Sequence, residues 1–339
     1  MDPLTQGIVG VAASQLVSRR VEKVAAAVIG FLSGMAADLD VLISSSTDPL
    51  LFLEFHRHFT HALVFIPIGA LICTIVFRAI FRRWFKRSQL SFQRTYLFSL
   101  VGYATHAVID ACTTYGTQLF WPFSDMRVAW NNVSVIDPLF TLPLLIITVL
   151  AVSKRSTTVA ILGAVYAFAY LGLGLVQNHR VSGVAEQLAL SRGHVPNNLG
   201  VKPSFANIIV WKSVYEHQGR YYIDAVRMVG SAKVYPGTSV EKLEIDKHFT
   251  WLDEGSQQAE DIERFRWFSN HHLGLDPHNS NRIIDVRYSL IPNQVTGMWG
   301  ITLNPSTQQD GHVEWSTNRP KGAETMIKTA ELLDMILAR

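Results

Sequence analysis

The sequence predicts an α-helical polytopic membrane bundle of about four to six membrane segments, followed by a small, extracytoplasmic, strand-rich α+β domain. The first reason is composition: among 339 residues, 48% are hydrophobic and only 17% are charged, which is too apolar for an ordinary soluble protein. The second reason is that long apolar segments are confined to residues 1–177, whereas residues 178–339 alternate polar and apolar positions. We therefore expect a membrane bundle over residues 1–177 and a separate domain over residues 178–339.

Six apolar segments make up the predicted bundle. Residues 61–81 and 157–177 are long enough to cross a bilayer of about 30 Å unaided. Residues 4–17 form a shorter segment that suits a half-span, a re-entrant helix or an interfacial helix. Three further segments contain polar residues or prolines and are still predicted to be membrane helices: residues 24–43, 96–115 and 135–152.

Basic residues orient the predicted bundle, because Lys and Arg near helix ends concentrate on the cytoplasmic side of a membrane. The first half of the chain holds them in three clusters, at residues 19–23, 78–94 and 154–155. If the six segments alternate in direction, all three clusters lie on the cytoplasmic side. Most of the ionisable residues considered below, and the domain at residues 178–339, are then extracytoplasmic.

Residues 178–339 show the period-two alternation typical of β-strands. The alternation in residues 207–215 and 221–227 flanks the turn-like pair Gln218-Gly219, which predicts a β-hairpin. His271 and His272 lack the spacing of metal ligands and are expected at the surface. Further strands are predicted at residues 283–291, 297–303 and 312–316, and helices at residues 260–268 and 323–337.

Several structural and functional classes are disfavoured by composition. Cys73 and Cys112 are the only cysteines, and both lie in apolar segments, so neither a disulfide framework nor a cysteine-based zinc site is expected. The formal net charge is +3 and neither half is strongly basic, so no nucleic-acid partner is expected. The start Met1-Asp2-Pro3 lacks the basic residues of a cleavable signal peptide, and insertion is expected to depend on internal helices.

Ionisable residues lie in or beside the apolar segments of the first half. A charged side chain at membrane depth costs a few kcal/mol or more unless it is paired, hydrated or bound to a cation. Several such residues together therefore indicate a functional cavity. They are the pairs Asp38/Asp40 and His106/Asp110 and the cluster His56, His58 and His61.

The spacing of the two pairs bears on metal binding. His106 and Asp110 are four residues apart, so on a helix they share one face and can approach one cation; the alternative is a structural hydrogen bond between helices. Asp38 and Asp40 would point to different sides of a continuous helix. Their convergence requires that the helix end or bend there, and the alternative is a solvated helix end or cap.

The segment from His56 to His61 immediately precedes a predicted membrane helix, with Thr60 as its expected cap. Imidazole nitrogen together with carboxylate oxygen suits zinc and other borderline divalent cations, and an open coordination position would make such a site catalytic. His58 is expected to be a spectator, and Arg57 to neutralise an anionic substrate. The alternative is a hydrated, interfacial histidine cluster.

The segment at residues 115–123 contains Gly116, Pro122 and several aromatic residues. Clustered aromatic side chains at this position predict an interfacial membrane anchor. Asp125 and Arg127 follow at once, so the loop is also a candidate cover for the cavity.

A resemblance to a known family rests on stretches that follow one another through the first 150 residues. They are Met1-Asp-Pro-Leu-Thr-Gln-Gly7, Ala37-Asp-Leu-Asp-Val-Leu42, His56-Arg-His-Phe-Thr-His61, Thr105-His-Ala-Val-Ile-Asp110, Thr114-Tyr-Gly-Thr-Gln-Leu-Phe-Trp-Pro-Phe-Ser124 and Val135-Ile-Asp-Pro-Leu139. In these stretches the chain resembles the YdjM-like family of bacterial inner-membrane proteins. The resemblance implies metal-dependent hydrolysis, a multi-pass location in the inner membrane and a link to the LexA-controlled SOS response.

The resemblance also marks the polar residues of an implied metal site. The implied metal ligands are Asp38, Asp40, His56, His61, His106 and Asp110. Asp2 and Gln6 accompany them, although Gln6 stands where many relatives carry a His. Arg57, Asp125 and Arg127 complete the residues expected around the site or in contact with substrate.

The leading hypothesis is a membrane-bound hydrolase that holds one or two divalent metal ions, zinc foremost, at the outer mouth of the bundle. Metal-activated water would be the nucleophile, and Asp38, His61 and Asp110 are the expected catalytic groups. The bilayer as partner favours an amphiphilic substrate such as a lipid or lipid-linked ester or phosphoester. One alternative is a non-enzymatic protein that binds a cation for transport, sensing or structure; another is an anchored domain that recognises an envelope partner.

Overall fold

The computed structural model describes residues 1–339, apart from the side chains at positions 87 and 88, and divides into two compact units. The first unit comprises Met1–Leu42, Phe55–Leu175 and Phe205–Asn207. The second comprises Ile43–Glu54, Val176–Ser204 and Ile208–Arg339.

Helices occupy all six apolar segments predicted for the bundle. In chain order the helices up to residue 191 are α1 (Pro3–Val17), α2 (Lys23–Met35), α3 (Leu51–Phe55), α4 (Ile66–Ile80), α5 (Arg82–Ser88), α6 (Phe92–Ala111), α7 (Pro138–Ser153) and α8 (Thr157–Ser191). Three stretches are long and apolar enough to cross a membrane, namely Lys23–Leu42, Leu63–Ile80 and Thr157–Ser191. The chain therefore has apolar helices of membrane-spanning length, as predicted.

Polar side chains begin several of these helices. The Asp2 carboxylate accepts the backbone N–H of Thr5 at 3.0 Å, at the start of α1, and such capping satisfies an otherwise free helix-end donor. The predicted cap at Thr60 is wrong. Thr60 lies within the short 3-10 helix Phe59–His61, where its hydroxyl donates to Asp40 instead, and α4 begins only at Ile66.

Glycines allow α1, α2 and α6 to pack closely. A Cβ atom at Gly30 of α2 would lie 2.6 Å from the carbonyl oxygen of Gly10 in α1, and one at Gly102 of α6 would lie 2.8 Å from the carbonyl oxygen of Gly30. Small residues commonly permit such approach between membrane helices. The close crossing also brings the carbonyl oxygen of Gly34 within 2.6 Å of His106 Nδ1.

Helix α8 extends well beyond the apolar segment that predicts it. Hydropathy falls near Gln177, but the helix continues to Ser191. Val181, Ala185 and Ala189 are buried at intervals of four residues, which is the pattern of a helix with one buried face. Residues 178–191 therefore continue α8 as a helix, and they lie within the second unit.

The second unit contains two antiparallel sheets and three further helices. One sheet has the order β1-β2-β3-β4 with β5 also paired to β3, and the other has the order β6-β7-β8-β9. The strands are β1 (Asn197–Pro203), β2 (Val210–His217), β3 (Arg220–Val229), β4 (Ser231–Tyr235), β5 (Ser239–Glu241), β6 (Leu273–Asp276), β7 (Asn279–Asp285), β8 (Trp299–Thr302) and β9 (Glu314–Thr317). The helices are α9 (Ile245–His248), α10 (Gln257–Phe268) and α11 (Ala323–Leu337).

The strand predictions in this unit succeed in part. The hairpin predicted at Gln218-Gly219 is confirmed, with β2 and β3 paired up to His217 and Arg220. The strand predicted at residues 283–291 is displaced, because β7 ends at Asp285. There the Asp285 carboxylate accepts the backbone N–H of Arg287 at 3.1 Å, a local turn that competes with strand pairing.

Apolar residues from both sheets form one core cluster of the second unit. Val214 and Ile223 come from the first sheet and Ile284 from the second, and all three are almost fully buried. Burial of such side chains is the main stabilising term for a strand-rich domain.

Candidate metal centre

The two aspartates of the site lie in a short 3-10 helix, Ala36–Leu42, that follows α2. Helix α2 ends at Met35, so the change of backbone geometry required for Asp38 and Asp40 to converge is present. The Asp40 side chain is fully buried and that of Asp38 is 20% exposed. Of these two aspartates, Asp38 is therefore the one that solvent can reach.

A tight turn places the histidines that follow α3. Arg57 adopts a φ of 65°, a conformation that is unfavourable for a residue with a Cβ atom. Its backbone N–H donates to Asp40 Oδ2 at 2.9 Å, which helps to hold that conformation. The chain then enters the 3-10 helix Phe59–His61, and His61 is completely buried.

Four side chains of the first unit direct ligand atoms toward one point: Asp38, His61, His106 and Asp110. The two imidazole Nε2 atoms lie 2.9 Å apart. Asp38 Oδ1 lies 3.1 Å from His106 Nε2 and 3.4 Å from His61 Nε2. Asp110 Oδ2 lies 3.4 Å from His61 Nε2 and 3.9 Å from His106 Nε2. Because ligands of a tetrahedral zinc ion at about 2.0–2.1 Å are roughly 3.3 Å from one another, these spacings suit a single ion.

Hydrogen bonds orient both imidazole rings. His106 Nδ1 lies 2.6 Å from the carbonyl oxygen of Gly34, and His61 Nδ1 lies 3.2 Å from Asp40 Oδ2. Carbonyl and carboxylate oxygens accept hydrogen bonds, so in the neutral rings this network assigns the hydrogen to Nδ1. Both Nε2 lone pairs then face each other, and they repel unless a proton or a cation lies between them. Metal-bound histidines are commonly oriented in this way.

Asp40 has a different position from the other carboxylates. Its oxygens lie 2.9 Å from His56 Nδ1 and 3.2 Å from His61 Nδ1, and they accept hydrogen bonds from the backbone of Arg57 and the hydroxyl of Thr60. Asp38, Asp40 and His56 form a second group with ligand atoms within 4.8 Å of one another. Both Asp40 oxygens take part in these contacts, whereas Asp110 Oδ2 has no hydrogen-bond partner among the described residues, so this group is less suited to an ion than the first group.

Arg57 lies inside the site. Its guanidinium Nε is 2.8 Å from Asp110 Oδ2, and Nη1 donates to the hydroxyl of Thr113 at 2.8 Å. The side chain is only 4% exposed. Its charge therefore acts on Asp110, and it is not presented to solvent in the way expected of a group that neutralises a substrate.

Gln6 reaches the site, whereas Asp2 caps α1. The amide of Gln6 donates to Asp110 Oδ1 at 2.8 Å and lies 3.4 Å from Asp38 Oδ2. Its buried Oε1 has no hydrogen-bond partner among the described residues. The amino group of Met1 also contacts Asp110. Gln6 thus links two of the converging carboxylates.

The loop after α6 approaches the site through Tyr115. Arg127 donates to the backbone oxygen of Tyr115 at 2.8 Å, and the Tyr115 ring lies 5.8 Å from the ring of His56. Asp125 is exposed and belongs to neither ligand group. His58 packs edge-on against Trp121 at 5.4 Å and likewise lies outside both groups.

Three orienting groups were not anticipated from the sequence: the carbonyl of Gly34 and the hydroxyls of Thr60 and Thr113. Thr60 immediately precedes His61 and Thr113 lies three residues after Asp110, so hydroxyls near candidate ligands were an available signal. No sequence pattern marks a backbone carbonyl such as that of Gly34, because its role depends on the close helix crossing.

Apolar helices of spanning length together with a buried His/Asp cluster define a membrane protein with a possible metal site. The profile of the YdjM inner membrane protein family matches residues 1–181, just over half of the chain, and the chain belongs to this family. It is thus an inner membrane protein, and all the residues of the candidate metal centre lie within the matched region.

Two relatives are similar to shorter stretches. The inner membrane protein YbcI of Escherichia coli (strain K12) is 34% identical over 110 residues, which are 31% of this chain and 60% of the relative. The uncharacterized protein YfhP of Bacillus subtilis (strain 168) is 30% identical over 114 residues, 33% of each chain. The chain thus spans less than two thirds of either relative. No solved structure matches it.

Proposed function

We propose that the protein is a membrane-bound, metal-dependent hydrolase whose single divalent ion, zinc foremost, is held by Asp38, His61, His106 and Asp110. The observation that carries this proposal is the arrangement of His61 and His106, whose Nε2 atoms face each other 2.9 Å apart between two carboxylates. Two nitrogen donors beside oxygen donors suit zinc better than calcium or magnesium, which prefer oxygen.

The residues of the site would have different roles in hydrolysis. A bound zinc ion would supply Lewis acidity and, with water in place of the partly exposed Asp38 ligand, a nucleophile at neutral pH. His61 and His106 are fixed by their Nδ1 hydrogen bonds, so they can bind without reorganising. Asp38 is partly exposed, and its second oxygen, Oδ2, lies 3.4 Å from the Gln6 amide, so we assign it the transfer of a proton to or from water.

The topology of the sequence suggests where the substrate lies. If the bundle is multi-pass with its basic clusters in the cytoplasm, the site and the domain at residues 178–339 are extracytoplasmic. A substrate that reaches Asp38 at the edge of an apolar bundle would be amphiphilic, such as a lipid or lipid-linked ester or phosphoester.

Metal content tests the proposal first. Detergent-purified wild type is expected to hold one equivalent of metal by mass spectrometry, and His106→Ala and Asp38→Ala are expected to lose it. His58→Ala is the matched control, because His58 lies in the same segment but outside both ligand groups. Absence of metal from wild type, or its retention in both variants, would contradict the proposed site.

Hydrolysis is tested separately with chromogenic esters and phosphodiesters presented in detergent and in lipid vesicles. Turnover that requires metal and is lost in His106→Ala supports the enzyme. Stoichiometric metal without turnover of any of these substrates would favour the second candidate.

That second candidate is a non-enzymatic protein in which the ion supports structure, sensing or transport. It is favoured by one observation: three of the four ligand candidates are completely buried, and structural metal sites are typically closed. If the role is structural, chelation should unfold the helical unit. If the role is catalytic, chelation should abolish turnover and leave the fold intact.

A further inference from the structure

The segment that joins the two parts of the candidate metal centre belongs to the second unit. Asp38 and Asp40 precede Leu42, and His56 and His61 follow Phe55, but Ile43–Glu54 between them is part of the strand-rich unit. The position of this segment therefore affects both of its ends through the continuous chain.

Arg264 of α10 holds this segment by ion pairs. Its Nη2 and Nη1 atoms lie 2.7 Å and 3.1 Å from the two carboxylate oxygens of Asp48, and its Nε lies 2.5 Å from Glu54 Oε1. Paired contacts of this kind between a guanidinium and a carboxylate fix orientation as well as distance. Asp261, which is fully buried, contacts the same guanidinium at 2.7 Å and so keeps Arg264 in place.

Apolar contacts reinforce the attachment. The ring of Phe52 lies edge-on to Trp315 at 5.4 Å, and Trp315 lies edge-on to Phe265 of α10 at 5.9 Å. Leu50 and Leu53 are almost completely buried. Residues 48–54 are thus fixed at a polar face and an apolar face at once.

The ends of the segment meet again at the metal centre. Asp40 contacts His56 Nδ1 at 2.9 Å and the backbone of Arg57 at 2.9 Å. The turn at Arg57 has a positive φ, and such a conformation persists only where its surroundings hold it. If residues 43–54 were mobile, the turn at Arg57 would no longer be held in place, and the side chain of His61 would be less well oriented.

We propose that Arg264 is a positioning residue for the metal centre, by which the strand-rich domain sets the metal affinity of a site that contains none of its own side chains. This inference rests on the proposed metal site and adds a role for the second unit. It predicts a change in affinity without loss of any ligand.

The test compares Arg264→Gln with Arg266→Gln in the full-length protein, using zinc itself and a competing chelator. Arg266 lies on the same helix. Among the ion pairs described, its one partner is the exposed Glu263 at 3.0 Å. Arg266→Gln therefore controls for the loss of a positive charge from α10 and for differences between protein preparations. Arg264→Gln is expected to weaken zinc binding about tenfold with one equivalent still bound, Arg264→Lys to recover part of the affinity, and Arg266→Gln to bind as wild type does.

Hydrogen exchange over residues 43–61 is measured on the same samples to show that Arg264→Gln remains folded and that faster exchange is confined to the segment. Wild-type affinity in Arg264→Gln, or equal losses in both variants, would overturn the inference while leaving the metal site standing. Absence of zinc binding by wild type would overturn the metal site and this inference together, so the two failures are distinguishable.

Discussion

The two units treat buried ionisable groups differently. In the strand-rich unit, two buried carboxylates each contact one arginine: Asp224 contacts Arg192 at 2.6 Å and Asp285 contacts Arg287 at 2.7 Å. In the helical unit, two imidazole nitrogens and two carboxylates converge on one point. Paired charges satisfy each other and serve the fold, whereas convergent lone pairs require a cation or protons. A buried charged side chain therefore does not by itself indicate a metal site. Several nitrogen and oxygen lone pairs directed at one point do.

The largest expected effect is on metal affinity, which should differ between a variant of the converging ligands and a variant of a paired charge. His106→Ala removes a converging ligand and should lower metal affinity by more than about 100-fold, with little loss of stability. Arg192→Ala removes a paired cation and should leave metal binding unchanged while destabilising the protein by roughly 2 kcal/mol, since Arg192 is partly exposed. Metal analysis and thermal unfolding of the two variants check this. Loss of metal in both variants would contradict the proposed difference between converging ligands and paired charges.

Asp40→Asn should have the next largest effect, because Asp40 orients His61 without being one of the four converging ligands. We expect one equivalent of metal to remain, bound about 10- to 100-fold more weakly. His56→Ala is the companion variant, since His56 belongs to the second group and not to the first. If wild type bound two ions and either variant bound one, the second group would be a metal site as well.

Helix packing is the next point of comparison. Gly30→Ala would force a Cβ atom to within 2.6 Å of the Gly10 carbonyl oxygen, and we expect a loss of about 1–3 kcal/mol together with weaker metal binding. Gly172→Ala is the matched control, because no described atom lies within 4 Å of its Cβ position; it should be neutral or stabilise by up to about 1 kcal/mol. Unfolding midpoints in detergent measure both, and equal midpoints would contradict the packing argument.

Substitution of Lys212 is expected to have the smallest effect. It tests whether a buried cation of the strand-rich unit whose hydrogen-bond partners are neutral loses its proton. This buried lysine donates to neutral oxygens, Ser289 Oγ at 2.8 Å and the Gln294 carbonyl at 3.0 Å. Burial lowers the pKa of Lys212 from 10.5 to about 7. Between those values the unfolded chain binds the extra proton, so this group makes stability rise with pH, by at most about 1.4 kcal/mol per unit.

Lys212→Met should remove that slope between pH 7 and pH 9. Hydrogen exchange of β2 and β3 in the variant and in wild type measures the difference in unfolding free energy at each pH. Because the other titrating groups are the same in both proteins, their contributions cancel in this difference. The same slope in variant and wild type would mean that Lys212 keeps its proton when folded.

Much of the helical unit could be predicted because its elements are encoded locally. Apolar runs identified six of the eight helices up to residue 191 but not α3 or α5, and the two-residue spacing of Asp38 and Asp40 required the helix end that is found at Met35. The gathering of histidine and carboxylate side chains was likewise inferable, because each was costly at its position unless it had a common partner.

Features that depend on tertiary contacts could not be predicted. Asp2 and Gln6 are near neighbours in sequence, but only the packing of α1 determines that one caps a helix and the other reaches Asp110. Residues 43–54 lie between candidate ligands in sequence, yet their anchor, Arg264, is distant along the chain. The continuation of α8 past Gln177 has no hydropathy signal, because its sequence pattern is one buried face and not a long apolar run.

X-ray absorption spectroscopy of the metal-loaded protein tests the central claim most directly, because it reads the ligands of the ion itself. We predict four nitrogen or oxygen ligands at about 2.0–2.1 Å, with the outer-ring scattering of two imidazoles and that scattering reduced in His106→Ala. Sulfur scattering at about 2.3 Å, or a shell of oxygens without imidazole, would contradict the site formed by Asp38, His61, His106 and Asp110.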